Sequence, residues 1–296
     1  MYTGLEVVKI NELITHAGAK GVINRYGLRP KKKLGQHFLV DSFVLEKILN
    51  ASTVNEGDIV LEIGPGIGAL TQGLVGRVGT AGHVIAIELD TQLIPVLEDI
   101  FDGCNVTIVQ GDILRLDLHE ILSPFINGGK TIKVVANLPY YITTPVIISL
   151  LESGLPLDSI TVMIQKEVAQ RMAASPGTKD YGSLTLAVQY YATVSVAAYV
   201  PVNCFVPRPG VDSAVAVLKI LENPPVSSDV DKEKLFKVIH AAFQQRRKTL
   251  VNALDSAGFG QGKESLQTAL INCGLDPQIR GEKLGLMDFA KLSEVL

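Results

Sequence analysis

Leu61-Glu62-Ile63-Gly64-Pro65-Gly66-Ile67-Gly68-Ala69 joins an apolar run to a stretch with helical spacing. The run Ile59 to Ile63 reads as a strand buried on both faces, because four of its five residues are apolar and turn residues follow. The small residues after it let the backbone approach a ligand and let the next helix pack closely on the strand. The same rhythm recurs downstream. His83 to Ile87, Val106 to Val109, Ile132 to Ala136 and Ile160 to Ile164 are further candidate strands, with helix-compatible spacing over Thr91 to Phe101 and Thr144 to Leu151. Strand–helix alternation of this kind predicts an α/β fold with a doubly wound, parallel sheet. Thr193 to Val200 and Ser213 to Ile220 have no long helix between them and read as an antiparallel pair at the sheet edge.

Outward from this sheet, Asn223-Pro224-Pro225-Val226-Ser227-Ser228 is a linker by composition. Beyond it the pattern is helical. Leu235, Phe236, Ile239, Phe243, Leu250 and Leu254 form one apolar stripe, which predicts a small all-helical domain over 229–296. The larger domain is expected over 34–222. Residues 1–33 are a basic extension: seven Lys or Arg against Glu6 and Glu12 give it a charge of +5, leaving −8 for the remainder of a chain whose net charge is −3. Within it, Thr15 to Tyr26 is compatible with a short helix and Arg29 to Lys33 with a basic arm. A second basic knot is Arg246-Arg247-Lys248. Local basic patches on an acidic body can steer an anionic partner.

The 296 residues are 47% hydrophobic and 19% charged, a balance that suits a globular protein with a large core. Cys104, Cys204 and Cys273 are odd in number and far apart, so no disulfide framework or CxxC metal site can be read. A reducing cytoplasm is the expected location. The first residues lack a charged n-region followed by an apolar core, and Met1 to Lys33 holds no serine, so neither a secretory nor an organellar signal is expected. Tyr181 to Pro207 carries no charge, but Gln189, Tyr190, Tyr191, Pro201 and Asn203 interrupt it, which favours a helix and a strand in a core over a membrane span.

Gly64-x-Gly66-x-x-Ala69 satisfies the dinucleotide fingerprint, and Glu88 follows Gly68 by twenty residues at a strand end. A carboxylate there can accept from both ribose hydroxyls. This points to a ribose-bearing cofactor without separating a nicotinamide from S-adenosylmethionine. Asp112 follows the third strand and can accept from an adenine amine, although turn and capping aspartates are common. Asn137-Leu138-Pro139-Tyr140 ends the fourth strand. Asn offers a neutral carbonyl acceptor. The residue before Pro is driven out of the helical region, so Leu138 can turn its own carbonyl outward. Tyr140 offers a flat face for a base. In an open parallel sheet Glu88, Asp112 and Asn137 would share one crevice.

With these residues in place, the chain resembles the ribosomal RNA adenine dimethyltransferase family of the KsgA type. The resemblance runs from about Lys31 to the carboxyl terminus. Lys33-Leu34-Gly35-Gln36-His37-Phe38-Leu39 is similar to the family's amino-terminal cofactor motif, with His37 where many members carry Asn. Gln165-Lys166-Glu167-Val168-Ala169, Tyr181-Gly182-Ser183-Leu184 and Phe205-Val206-Pro207-Arg208-Pro209-Gly210-Val211-Asp212-Ser213 are similar to later motifs. Phe243-Gln244-Gln245-Arg246-Arg247-Lys248-Thr249-Leu250 is similar to a carboxyl-terminal helix of the family.

The resemblance implies a Rossmann-like methyltransferase sheet and S-adenosylmethionine, contacted by His37, Leu39, Gly64, Gly66, Glu88, Asp112 and Asn137. It implies N6 dimethylation of two adjacent adenines in a hairpin near the 3′ end of small-subunit ribosomal RNA, on free RNA or the assembling 30S subunit. Asn137 and the Leu138 carbonyl would accept from the adenine amine, with Tyr140 and Phe205 stacking on the base. Arg246, Arg247 and Lys248 would meet phosphates, and helical spacing sets Arg247 near the apolar stripe and Lys248 away from it. No metal is implied, and a monomer is expected. An Erm-type large-subunit methyltransferase, a DNA adenine methyltransferase, a nicotinamide dehydrogenase and a non-catalytic assembly factor on the same fold are the alternatives.

Overall fold

The computed structural model describes residues 13–29, 31, 34–126 and 129–296. The basic arm expected over Arg29 to Lys33 lies partly outside the described residues, as does the first part of the 1–33 extension. Contacts divide the chain into two units, residues 1–169 with 195–220 and residues 170–194 with 221–296.

The first unit is built on a seven-stranded sheet. Its strands are β2 (Ile59–Ile63), β3 (His83–Glu88), β4 (Val106–Gln110), β5 (Ile132–Asn137), β6 (Leu157–Gln165), β7 (Ala192–Val200) and β9 (Ser213–Ile220). The order is β4-β3-β2-β5-β6-β9-β7. The first five strands run parallel, and β9 lies antiparallel to β6, pairing Gln165 with Ser213. All five residues of β2 are buried, as an apolar central strand requires. The strand order reverses between β2 and β5, which is where an open sheet of this kind leaves a crevice at its carboxyl ends.

Helices cover both faces. α2 (Ser42–Ser52) and α3 (Ala69–Val78) pack Ile48, Leu49, Leu70 and Leu74 on Val60, Val84 and Val135. α1 (His16–Arg25) is the helix expected over Thr15 to Tyr26, with the Thr15 hydroxyl accepting from Gly18 N. It packs Ala19, Val22 and Ile23 against Leu93, Leu97 and Phe101 around α4 (Ile94–Ile100). The Tyr26 hydroxyl closes this contact by donating to Asp99. A separate two-stranded sheet pairs β1 (Phe38–Leu39) with β8 (Phe205–Val206), antiparallel, with Leu39 opposite Phe205. No helix among the described residues is long and apolar enough to cross a membrane.

The second unit is helical and larger than the sequence suggested. α9 (Lys232–Gln244), α10 (Leu250–Ser256), α11 (Lys263–Asn272) and α12 (Leu286–Val295) supply most of it. Leu235, Ile239, Leu250 and Leu254 are buried in its core, with Phe236 and Phe243 packed against them. Residues 170–194, read from sequence as part of the 34–222 domain, belong here instead. The cause is visible at Tyr181, which is 1% exposed and donates its hydroxyl to Leu284 O at 2.7 Å. Tyr190 from the same segment sets its ring 5.3 Å from that of Phe236. Val226, within the compositional linker, is also buried in this core.

A second correction concerns Phe243 to Leu250. This stretch is not one helix. α9 ends at Gln244, a turn carries Gln245 to Lys248, and α10 opens at Leu250 with Thr249 as its cap. The Thr249 hydroxyl accepts from Asn252 Nδ2 at 2.8 Å, and Leu250 N donates to Ile279 O at 2.7 Å. A capping threonine and three adjacent cations both favour a break here. Helical spacing therefore does not separate Arg247 from Lys248, and both are exposed. Arg246 is the held residue, donating to Lys179 O at 2.9 Å and to Glu282 at 3.3 Å.

Candidate active site

A cleft of about 1060 Å³, counting its open mouth, lies at the strand ends of the first unit. The loop after β2 forms its floor. Gly66 has φ +62°, and a Cβ there would stand 3.1 Å from the Phe38 ring; Gly68 has φ +90°, and a Cβ would stand 2.6 Å from Phe101. Only glycine satisfies both the backbone and the space at these positions.

Glu88 ends β3 and is 6% exposed. Its two carboxylate oxygens accept from Gly66 N at 3.1 Å and Asp90 N at 2.8 Å. Burial pushes its carboxyl above the usual range, although these backbone donors act in the opposite direction. Asp90 is held in turn by Lys31 Nζ at 2.7 Å and Gln36 Nε2 at 2.9 Å, and Lys31 N donates to Gln36 Oε1. The amino-terminal motif is thus tied to the acid at the end of β3. Asp112 lines the cleft beyond β4, and its Oδ1 accepts from Leu114 N at 3.1 Å, so it also closes its own turn.

Asn137 ends β5 and is part-buried. Its Nδ2 donates to His37 O at 3.0 Å. That bond commits the amide nitrogen and leaves Oδ1 as the free acceptor. Leu138 is 1% exposed and donates its N–H to Met163 O at 3.1 Å. The turn that follows is closed on the next carbonyl, with Ile142 N and Thr143 Oγ1 both donating to Pro139 O. The Tyr140 hydroxyl is 2.7 Å from Ser213 Oγ, which fixes its ring. Leu39, Phe205 and Tyr141 line the same cleft. Phe205 is 1% exposed, so it forms wall rather than surface. The structure therefore gathers His37, Leu39, Gly64, Gly66, Glu88, Asp112, Asn137, Leu138, Tyr140 and Phe205 around one space. Arg246, Arg247 and Lys248 belong to the second unit.

A family profile described as ribosomal RNA adenine dimethylase matches residues 27–294. The chain belongs to that family. Among relatives of the dimethylase family, the ribosomal RNA small subunit methyltransferase A of Lachnoclostridium phytofermentans is 51% identical over 278 residues, covering 93% of this chain and 94% of that one. The protein of the same name from Shouchella clausii is 47% identical and covers 96% of each chain. A solved dimethyladenosine transferase from Plasmodium falciparum is 27% identical with a TM-score of 0.69, covering 86% of this chain and 95% of that one. The 23S rRNA methyltransferase ErmE, 23% identical with a TM-score of 0.65, shares the fold. The nicotinamide reading left open by the glycine loop ends with the dimethylase match.

The donor set fits S-adenosylmethionine. A buried carboxylate, Glu88, ends β3 in the cleft lining, and the loop beside it carries glycines at positions where a Cβ would meet neighbouring rings.

Sequence reading passed over one residue. Glu62 is fully buried, and neither carboxylate oxygen has a hydrogen-bond partner. Burial pushes its carboxyl up to about 8; the neighbouring Thr71 groups oppose this, without reaching hydrogen-bond geometry, and the Glu88 charge reinforces it. The folded chain therefore keeps this proton from the ordinary carboxylate range up to about pH 8, while the unfolded chain loses it near pH 4. Stability from this group falls as pH rises through that window. Glu62→Gln is expected to gain on the parent protein between about pH 5 and pH 8, by up to about 1.4 kcal/mol per pH unit. Urea unfolding at the two pH values measures it; an unchanged difference would mean that Glu62 ionises freely.

Proposed function

We propose that this protein dimethylates the N6 amines of two adjacent adenines in a 3′-terminal hairpin loop of small-subunit ribosomal RNA, with S-adenosylmethionine as methyl donor. The names of relatives at 51% and 47% identity over nearly the whole chain support this reading. The observation that carries its chemistry is the Asn137 amide, oriented by the His37 carbonyl so that Oδ1 is left to accept.

When bound, S-adenosylmethionine supplies a methyl group made electrophilic by its sulfonium. The chain's residues have to make an adenine amine nucleophilic, since its lone pair is delocalised into the ring. Asn137 Oδ1 and the Leu138 carbonyl accept from the two amine hydrogens. This draws the nitrogen toward tetrahedral geometry and stabilises positive charge developing on it. Tyr140 presents a ring to the flipped base, as recognition of an unpaired adenine requires. Each transfer leaves the methylated nitrogen cationic until it gives up one proton to water; after the first, a single N–H remains, so one acceptor must release and the second methyl arrives with one carbonyl bond.

Glu88 takes the ribose hydroxyls, and Asp112 the cofactor's adenine amine. The protein acts in the cytoplasm as a monomer on the assembling 30S subunit. Incubation with labelled cofactor and either ribosomal subunit from an unmethylated strain tests the reading. Label is expected in the small subunit alone; label confined to the large subunit would transfer the proposal to the Erm-type activity.

The basic turn of the helical unit supplies phosphate contacts. Lys248 and Arg247 are exposed, whereas Arg246 is engaged within its own unit. Lys248→Ala is expected to lower the slope of log affinity against log salt by about 1. RNA binding titrated across salt concentrations measures this. An unaltered slope would remove Lys248 from the interface.

A further inference from the structure

We infer that Lys166 and Tyr199 form a second RNA subsite on the first unit, which holds an unpaired nucleotide flanking the target adenine. This rests on the adenine-methylation reading above.

β7 is the edge strand of the sheet, and its residues alternate in exposure. Ala198 and Val200 turn toward the core that α2 and α3 cover. Ser195, Ala197 and Tyr199 lie on the opposite face and are exposed. Of these, Tyr199 is the large one. It is 54% exposed and stands one residue from the end of the strand. The core gains little from a ring so far in water.

Lys166 completes the pair. Its Nζ lies 5.0 Å from the centroid of the Tyr199 ring, a cation–π distance. Lys166 is itself exposed, and among the described residues it forms no ion pair. The Asp212 carboxylate is turned to Val202 N, at 3.2 Å. An ammonium carries three donors, so contact with a ring leaves it able to take a phosphate oxygen. The lysine covers one face of the ring and a base stacks on the other. An aromatic ring for a base beside a cation for a phosphate is how proteins hold single-stranded nucleic acid.

The pair is joined to the catalytic tetrad through two consecutive residues. Lys166 N donates to Asp212 O at 3.0 Å, and the Oγ of the next residue, Ser213, is 2.7 Å from the Tyr140 hydroxyl. β6 and β9 separate β7 from β5, whose last residue is Asn137. Three strand spacings make roughly 14 Å. That is about four stacked nucleotides at about 3.4 Å each. An adenine flipped toward Tyr140 therefore leaves its own strand within reach of Tyr199. A hold on that neighbour fixes which base is presented. Neither Lys166 nor Tyr199 lines the cleft, so the pair acts on the RNA and not on the cofactor.

Steady-state kinetics on small subunits from an unmethylated strain, with cofactor affinity measured by calorimetry, tests the inference. Tyr199→Ala is expected to raise KM for the subunit about ten-fold, within the range for one base losing its aromatic platform. Tyr199→Phe keeps the parental KM, because stacking needs the ring and not the hydroxyl, whereas Tyr199→Leu behaves like Tyr199→Ala. Lys166→Ala, which keeps the main-chain bond to Asp212, lowers the slope of log affinity against log salt by about 1. In all four variants kcat and cofactor affinity stay within about two-fold of the parent. Whatever these variants do, p-benzoylphenylalanine in place of Tyr199 is expected to crosslink on irradiation to small-subunit RNA within a few nucleotides of the methylated adenines. The inference is overturned if Tyr199→Ala retains the parental KM, if Tyr199→Leu performs as well as Tyr199→Phe, if Lys166→Ala leaves the salt slope unaltered, or if the crosslink falls on a ribosomal protein or on distant RNA. A parent protein that methylates no small subunit would instead remove the underlying reading.

Discussion

Asn137→Ala is expected to reduce methyl transfer by about 10²–10³-fold in kcat while S-adenosylmethionine binds within a few-fold of its parental affinity. The magnitude is that of losing one preorganised acceptor or donor at a charge-developing atom. The alanine leaves Leu138 O in place, so some turnover survives. Asn137→Asp makes a sharper comparison. It keeps an oxygen acceptor, but it replaces the Nδ2 donor with a second carboxylate oxygen facing the His37 carbonyl, 3.0 Å from the atom it replaces. Two acceptors cannot bond to each other, so the side chain must turn away and the aimed carbonyl is lost. Methyl incorporation and calorimetric affinity, measured on the same samples, check both variants. Near-parental turnover in Asn137→Ala would take Asn137 out of the chemistry.

Glu88→Ala is expected to act on the other half of the site, weakening cofactor binding by about two to four orders of magnitude. Two hydrogen bonds to an ionised acceptor are worth about 1.5–3 kcal/mol each. The variant loses more than the ribose contact. Glu88 also accepts from Gly66 N and Asp90 N, so its removal frees the glycine loop that approaches the cofactor. Glu88→Gln cannot fully restore these bonds, because one of its two terminal atoms is a donor facing an N–H. At saturating cofactor, kcat should return toward the parental value. An unchanged cofactor dissociation constant would refute the ribose assignment.

The sheet was legible because its signals are local. A buried strand such as β2 announces itself by an apolar run, and the spacing from Gly68 to Glu88 follows from one strand–helix–strand unit. The edge position of β7 and β9 was equally readable from the missing helix between them. Two-residue strands carry no such period, so the pairing of Phe38–Leu39 with Phe205–Val206 could not be seen across the intervening chain. The assignment of residues 170–194 to the helical unit depends on long-range contacts such as Tyr181 with Leu284, which leave no periodic trace. The break after Gln244 did leave a signal, a threonine cap before an apolar run. The Asn137 side chain was identified by type, but the bond that aims it comes from a main-chain carbonyl at residue 37. A main-chain acceptor is identical in every residue, and only folding can reveal it.

The account stands on an adenine amine gripped by Asn137 Oδ1 and the Leu138 carbonyl beside the cofactor's methyl. A crystal structure with S-adenosylmethionine and an adenine-containing oligonucleotide tests that most directly. The predicted result places N6 within about 3 Å of both oxygens, with Asn137 Nδ2 still on His37 O and the methyl carbon in line between N6 and sulfur. An adenine amine directed elsewhere, or a cofactor whose methyl has no path to it, would contradict the account.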